Sequence, residues 1–380
     1  MSIKNLIAAC LLLSAVGLTG YGAVALVATR PVFGAEPAAD APAATASGLP
    51  VYVPRFHRAR PVVAVVAENS YTELTDYVVP YGVLAASGVA QVMALATQPG
   101  PIQMFPALRV QPQATVAEFD RRFPEGADYV LVPAVHRAED PALLAWVRSQ
   151  ASKGATVVGI CDGVWVLAHA GLLNGRRAVG HWYSFDDLAH TFPNTRFVRN
   201  MRYLADGPVV TTTGVTASIP VSIALVEAIA GHQQAMALAQ AMGVAGWGTA
   251  HHSEQFRLNG QHMLTAAANW LSFWRHEEIA VPVAQGVDEI GLALAADAYS
   301  RTYRSSAFSL AATADRITTR RGLVIYPDRV ARAPAADRTV TLSDSAPPVA
   351  ALDSALRAIE QTYGAATAAF VALQIEYPRP

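Results

Sequence analysis

The sequence has little charge, few cysteines and no strongly basic or acidic tail. Charged residues make up 15% of the 380 and hydrophobic residues 52%, whereas an average soluble chain has roughly 25% charged residues. This composition excludes disorder over most of the length. The 28 basic and 29 acidic residues nearly cancel. Because nucleic-acid binding needs a basic surface, this balance argues against a nucleic acid as the main partner. Two cysteines, Cys10 and Cys161, are too few for a disulfide-stapled fold.

The segment between Lys4 and Arg30 contains no charged residue and is long enough, with some tilt, to cross a bilayer. It exceeds the hydrophobic region of a typical signal peptide, about 7–15 residues. Residues 1–30 are therefore predicted to be a membrane anchor, with a cleaved signal peptide as the alternative. Residues 31–59 are rich in Ala and Pro and are predicted to be a linker. Together they predict an inner-membrane protein with a periplasmic globular part, or a protein released to the periplasm after signal cleavage.

Downstream of residue 60, short β-branched runs alternate with helical patterns. Val62–Ala67, Tyr129–Pro133 and Thr156–Ile160 are apolar runs of the kind found in strands buried on both faces. Helices are predicted around them, including Leu74–Ala86 and one long helix over Ile219–Met242. This order predicts an α/β fold with a mostly parallel sheet sandwiched by helices.

Cys161 lies between Gly159 and Gly163, where a predicted strand runs into a helix. This pattern is typical of a nucleophile elbow, a strained turn that needs small neighbours. The helix start offers free N–H groups and a positive dipole end, which are expected to help the thiol lose its proton. The N–H of Asp162 is the expected oxyanion donor. A buried structural cysteine is the alternative, but Cys10 lies in the predicted membrane segment and leaves Cys161 without a disulfide partner.

Residues 159–182 read GICDGVWVLAHAGLLNGRRAVGHW. This block resembles the ThiJ/PfpI superfamily, whose fold is glutamine amidotransferase-like and related to flavodoxin. It is most similar to the branch that includes isonitrile hydratase and the amidase-like domains of transcription regulators. The resemblance covers about residues 60–243. It implies a small-molecule substrate and pairing into a homodimer.

The resemblance also assigns partners to the thiol. Asp76 stands four residues before Pro80, where superfamily members carry the acidic group that reaches the sulfur, and is expected to act as an acid/base or to polarise the thiol. Glu73, one helical turn earlier, is expected to order the site. From the residues alone, both acids could simply cap a helix. His181, 20 residues after Cys161, is expected to activate the thiol or donate a proton.

Two further expectations complete the site. The segment Val132–His136 corresponds to the strand end that supplies a second oxyanion N–H, expected at Val135. No glycine-rich phosphate loop or dinucleotide fingerprint occurs, so no cofactor is expected. The adjacent His251 and His252 point in different directions, so no metal site is expected there.

The composition changes near residue 281, which predicts a main domain over residues 60–280 and a smaller C-terminal α/β part over 281–380. Three C-terminal segments echo the opening half of the superfamily fold, namely Val287–Asp297, Ala307–Ala312 and Gly322–Asp328. No cysteine lies there. This part is therefore predicted to be an incomplete second copy that packs against the first or pairs subunits.

Two functions remain open at this point. The first is a hydrolase or hydratase in which Cys161 attacks a small electrophile and Asp76 moves a proton. The second is a ligand-sensing or redox-sensing module, similar to the amidase-like domains of regulators but without a DNA-binding segment.

Overall fold

Continuous apolar runs form the central strands, because strands of a covered parallel sheet are buried on both faces. The computed structural model describes residues 47–331 and 336–378. Within them the strands are β1 Val62–Ala67, β2 Ser70–Glu73, β3 Gln91–Ala96, β4 Ile102–Phe105, β5 Arg109–Gln111, β6 Ala114–Thr115, β7 Tyr129–Val132, β8 Thr156–Gly159, β9 Arg177–Ala178, β10 Arg196–Phe197, β11 Tyr203–Asp206, β12 Val209–Thr212, β13 Glu277–Pro282, β14 Ser305–Ala311, β15 Ile317–Thr318, β16 Val324–Tyr326, β17 Arg329–Val330 and β18 Arg338–Thr339.

The helices in the same residues are α1 Leu74–Ser87, α2 Val116–Arg122, α3 Pro141–Ser152, α4 Gly163–His169, α5 Phe185–Thr191, α6 Ser218–Ala230, α7 His232–Met242, α8 Gly260–Leu271, α9 Glu289–Ser300, α10 Ala350–Tyr363 and α11 Ala365–Gln374.

The main sheet has the order β11-β12-β8-β7-β1-β3-β6. Its strands are parallel except β11, which runs antiparallel to β12. Alternate residues of β1 belong to two hydrophobic cores: Val63 and Val65 face one, and Val62 and Ala64 face the other. Since both faces are covered, the α/β fold with a mostly parallel sheet agrees with the prediction.

The described residues correct one part of the predicted fold class, namely the membrane helix. No helix in the described residues combines the length and the apolar character needed to cross a bilayer. The longest, α1 and α10, have 14 residues, against about 20 for a spanning helix. The fold class is therefore α/β without a membrane helix in this part of the chain. The predicted anchor or signal at residues 1–30 lies outside the described residues.

The end of the predicted linker packs against the main domain. Leu49 is buried in the core, the Tyr52 N–H donates to Ala228 O at 2.9 Å, and the Arg58 guanidinium pairs with Asp128 at 2.8 Å. Residues 47–59 are thus part of the folded domain, because each contact removes an apolar or charged group from water. The rest of the predicted linker, residues 31–46, lies outside the described residues.

The single long helix predicted over residues 219–242 is wrong. Two helices, α6 and α7, replace it and meet at Gly231, whose φ is 86°. Helical backbone has negative φ, and glycine adopts a positive value without a side-chain clash. The chain therefore turns at this glycine.

The C-terminal region adds a second parallel sheet, in the order β17-β14-β13-β18. The predicted boundary at residue 281 falls inside β13. A third, mixed sheet has the order β15-β16-β5-β4-β2, so strands from both predicted parts share it. Helix α9 packs so closely on α1 that a Cβ at Gly82 would lie 2.6 Å from Ile290 Cγ1. The two parts are therefore joined by a sheet and a helix pair.

Candidate cysteine site

Cys161 lies in the turn between β8 and α4, at the carboxyl end of a parallel strand. Its φ is 52°, a left-handed value that is uncommon for a residue with a side chain. Little space exists for a side chain at either flanking glycine. A Cβ at Gly159 would lie 2.9 Å from Leu167 Cδ2, and one at Gly163 would lie 2.0 Å from Val132 O. The turn therefore holds the cysteine in a strained conformation between two positions that exclude larger residues.

The Cys161 thiol is buried, and this burial opposes the loss of its proton that is expected from its place at a helix start. The residue is only 6% exposed. Burial, followed by the charge of Asp76, raises the pKa of Cys161 well above its usual value, and the backbone N–H of Asp162 lowers it by a smaller amount. Desolvation disfavours the thiolate, and this cost exceeds the benefit of one N–H. The N–H of Asp162 thus acts on the sulfur, and its role as an oxyanion donor stays a prediction.

Thr212 at the end of β12 fixes the backbone of the cysteine. The Cys161 N–H donates to Thr212 Oγ1 at 3.0 Å, and this hydroxyl donates to Thr213 O. Sequence reasoning did not single out Thr212, although a threonine at the end of a neighbouring strand is a detectable signal once the strand order is known.

Asp76 lies in the first turn of α1 and Glu73 is the N-cap of that helix, and the charges of both act on the Cys161 thiol. Glu73 caps the helix by accepting the Asp76 N–H at 2.6 Å, and Asp76 Oδ2 accepts the Ala134 N–H at 3.1 Å. Asp76 Oδ1 is buried without a hydrogen-bond partner in the described residues. Burial, and then the charge of Glu73, raises the pKa of Asp76 well above its usual range. The buried surroundings of Asp76 therefore favour the protonated form of its carboxyl group.

An arginine that sequence reasoning missed, with a side chain only 12% exposed, is paired with this carboxyl cluster. Arg301, directly after α9, donates from Nη2 to Glu73 Oε1 at 2.7 Å and from Nε to Asp297 at 2.8 Å. The pKa of Glu73 is raised to about 7. Burial, followed by the charge of Asp297, raises it, and the charge of Arg301 offsets part of that rise. Burial alone would lower the pKa of Arg301, but Asp297 and Glu73 hold it above its usual value. A fixed cation thus stands beside the acids of the site.

His181 is directed to the C-terminal segment. Its Nε2 lies 3.1 Å from Gln374 O, and no hydrogen bond joins it to Cys161 in the described residues. The neighbouring Trp182 N–H donates to Glu376 Oε1 at 2.9 Å, and Glu376 also accepts the N–H of Gly214. The structure thus places His181 in contact with the last residue of α11, and Trp182 in contact with the chain that follows it.

Val135 forms an isolated antiparallel bridge with Thr72. The hydrogen bonds of this bridge are made by the residues next to Thr72 and Val135. The Glu73 N–H donates to Ala134 O at 2.8 Å, and the His136 N–H donates to Tyr71 O at 3.1 Å. The Val135 N–H therefore has no hydrogen-bond partner among the described residues. Ala134, whose N–H holds Asp76, links the same strand end to the acid.

The fold and the site together define a class. This is an α/β protein with a mostly parallel sheet, in which a buried cysteine at a strand-to-helix turn interacts electrostatically with a buried carboxyl group. No three His, Cys, Asp or Glu side chains within residues 47–331 and 336–378 are placed to share a metal ion.

Comparison with known proteins places the chain within this class. The profile of the DJ-1/PfpI family matches residues 61–228. Isonitrile hydratase of Pseudomonas putida is 31% identical over 160 residues, which are 41% of this chain and 67% of that protein. The chain belongs to the DJ-1/PfpI family, also called the ThiJ/PfpI superfamily, which confirms the resemblance found in the sequence.

A second relative is a regulator. The HTH-type transcriptional regulator CdhR of Pseudomonas aeruginosa is 38% identical over 104 residues, 27% of this chain. The match spans only 31% of the length of that regulator. Among solved structures, Drosophila melanogaster DJ-1beta is 20% identical with a TM-score of 0.45, covering 49% of this chain and 99% of that one. Toxoplasma gondii DJ-1 is 21% identical with a TM-score of 0.43, covering 49% and 99%.

Proposed function

We propose that the chain is a cysteine-dependent hydratase or hydrolase acting on a small neutral electrophile, with an isonitrile as the first substrate to test. The observation that carries the proposal is the electrostatic interaction of Cys161, held at a φ of 52°, with Asp76, whose buried carboxyl group has a raised pKa. The relationship to isonitrile hydratase supports the choice of substrate. The low exposure of the thiol limits the substrate to a small molecule.

The proposed first step needs an acid more than a thiolate. Asp76 donates its proton to the terminal carbon of the isonitrile R–N≡C, and Cys161 Sγ forms a bond to that carbon. The thiol proton passes to the Asp76 carboxylate as the bond forms. The product is a thioimidate, R–N=CH–S–Cys161, and Asp76 is protonated again. A raised carboxyl pKa favours this role, because a general acid must hold its proton until the transition state.

In the proposed second step water completes the reaction. Water adds across the C=N bond, with its oxygen on the thioimidate carbon and one of its protons on nitrogen, and the C–S bond then breaks to leave the formamide R–NH–CHO. Asp76 returns a proton to the departing sulfur and takes one from the added water. The sum is R–N≡C plus H2O to R–NH–CHO, with the cysteine restored. The N–H of Asp162, which contacts the sulfur, stabilises negative charge on the leaving thiolate.

The test is turnover of a small alkyl isonitrile by the full chain, followed as formation of the formamide. Cys161→Ala is expected to abolish turnover. Cys10→Ala is the matched control, because it removes the other thiol, and is expected to keep wild-type activity. Activity that survives Cys161→Ala would contradict the proposal.

A ligand-sensing module is the second candidate, favoured by the match to a transcriptional regulator. The redox form of this candidate is weaker, because the thiolate is the form that peroxide oxidises and burial opposes it. A small molecule that raises the Tm of both wild type and Cys161→Ala without being converted would favour sensing over catalysis.

A further inference from the structure

The C-terminal region repeats the element order of the main domain. Strand β13, helix α9 and strand β14 follow one another as β1, α1 and β3 do, and the first strand and the helix start the same number of residues apart in both. The hairpin β15-β16 and the strands β17 and β18 then follow in the places of β4-β5, β6 and β7. The two sheets share one order, since β17-β14-β13-β18 matches β6-β3-β1-β7, and every pair in both is parallel.

The two units face each other as two copies around a twofold axis would. The corresponding strands β5 and β16 pair antiparallel, with Val110 opposite Ile325, and their hairpin partners β4 and β15 lie outside them. The corresponding helices α1 and α9 pack through Gly82 and Ile290. In a twofold interface the same elements of both copies meet. The second unit therefore occupies the place that another copy of the main domain would take.

This arrangement delivers one charged side chain to the cysteine site. Arg301 follows α9 and forms the ion pair with Glu73, 228 residues away in the sequence. Asp297, on the last turns of α9, holds the guanidinium in place through both carboxylate oxygens. The Arg301 side chain is 12% exposed and that of Asp297 3%, so the pair is screened little by solvent.

We infer that residues 277–339 are a partial internal repeat of residues 62–132, and that the repeat supplies Arg301 as a positioning residue of the cysteine site. Arg301 keeps the Glu73 carboxylate directed at the N–H of Asp76, and thereby holds the first turn of α1, with Asp76, against the thiol. The inference deepens the proposed function, because it concerns the same site, but its test needs no turnover.

The groups that act on Glu73 come from three parts of the fold. Asp76 and Thr75 come from α1, Asp297 and Arg301 from the repeat, and Cys161 from the turn before α4. Arg301 is the cation of this set, and it favours the charged form of Glu73. Asp297 is an anion and favours the neutral form. Removing the charge of Arg301 must therefore raise the proton affinity of Glu73, and removing the charge of Asp297 must lower it.

The experiment is a carbon-13 NMR titration of the full chain, labelled at the side-chain carboxyl carbon of glutamate, with Glu73→Gln to identify the resonance. Glu73 is expected to titrate near pH 7 in the wild type. Arg301→Gln is expected to raise the midpoint by about one pH unit or more, a tenfold gain in proton affinity. Asp297→Asn is expected to lower it. Arg320→Gln, a surface arginine of the same repeat, is the matched control and is expected to cause no shift.

Arg301→Gln leaves two buried acids without their cation and is the variant with the greatest risk of unfolding. If Arg301→Gln does not fold, the test uses two other variants: Arg301→Lys, which keeps the charge, and Asp297→Asn, which keeps the arginine. A midpoint that stays fixed in Arg301→Gln, or in Asp297→Asn, would overturn the inference. Shifts of opposite sign with no turnover of any isonitrile would support the inference while refuting isonitrile hydration as the activity of the site.

Discussion

Replacing Gly163 by alanine tests the geometry of the cysteine turn most sharply. A Cβ at this position would lie 2.0 Å from Val132 O and 2.9 Å from Val132 C. Both atoms belong to the backbone of β7, so no side-chain rotation relieves the contact. Helix α4 or the end of β7 must therefore move by about 1 Å to restore a normal separation.

The expected cost combines two effects. Overpacking in a dense core costs about 1–3 kcal/mol. Val132 O also accepts the Ile160 N–H at 2.9 Å, and weakening that hydrogen bond adds about 1 kcal/mol. We expect Gly163→Ala to lower the free energy of unfolding by about 3 kcal/mol and to reduce the alkylation rate of Cys161 through a displaced turn.

Denaturant unfolding, followed by far-UV circular dichroism, measures the change. Gly260→Ala is the matched control, because Gly260 is also the first residue of a helix and nothing lies within 4 Å of a Cβ built there. This control is expected to be neutral or to gain about 0.4–1 kcal/mol from the unfolded chain. If Gly163→Ala unfolds like Gly260→Ala, the steric reasoning for the turn is wrong.

Three further outcomes are expected. Burial raises the pKa of Glu73 to about 7 from 4.5. As pH rises between these two values, the unfolded chain loses this proton before the folded chain does, so the free energy of unfolding falls. Wild type should therefore lose roughly 3 kcal/mol more than Glu73→Gln between pH 4 and pH 8, measured by urea unfolding, and equal losses would contradict this. Thr212→Val should cost about 1–3 kcal/mol because it leaves the Cys161 N–H unpaired in the core, whereas Thr212→Ser should keep the bond; equal melting curves for the two variants would count against it. Asp76→Asn should lower turnover by about two to four orders of magnitude at an unchanged Tm, while Glu118→Gln, an exposed carboxyl control, should have no effect; unaltered turnover in Asp76→Asn would remove the acid from the mechanism.

The central sheet was predictable from the sequence because burial on both faces demands continuous apolar runs. Val62–Ala67 is observed as predicted, and the strand predicted to end at Pro133 ends one residue earlier. The break at Gly231 was not predicted, because the residues on both sides of it remain good helix formers and only the backbone angle reveals the turn. The placement of Cys161 between two glycines was readable, since the glycines carry the steric constraint themselves.

The ionisation of the site depended on contacts that no local pattern contains. The sequence indicates a helix start behind Cys161, but α4 has only seven residues, and the desolvation of the thiol is set by the surrounding core. The partner of His181, Gln374, is 193 residues away. Arg301 becomes part of the site only through the pairing of the two sheet units.

The central claim is that Cys161 Sγ forms a covalent bond to the substrate carbon. Rapid acid quenching of the full chain during turnover of an alkyl isonitrile, followed by peptide mass spectrometry, tests it directly. The account predicts a mass increase of one substrate molecule on the peptide that contains Cys161, and no such adduct in Cys161→Ala. Steady formamide production with no adduct on that peptide, or with an adduct on another residue, would contradict it.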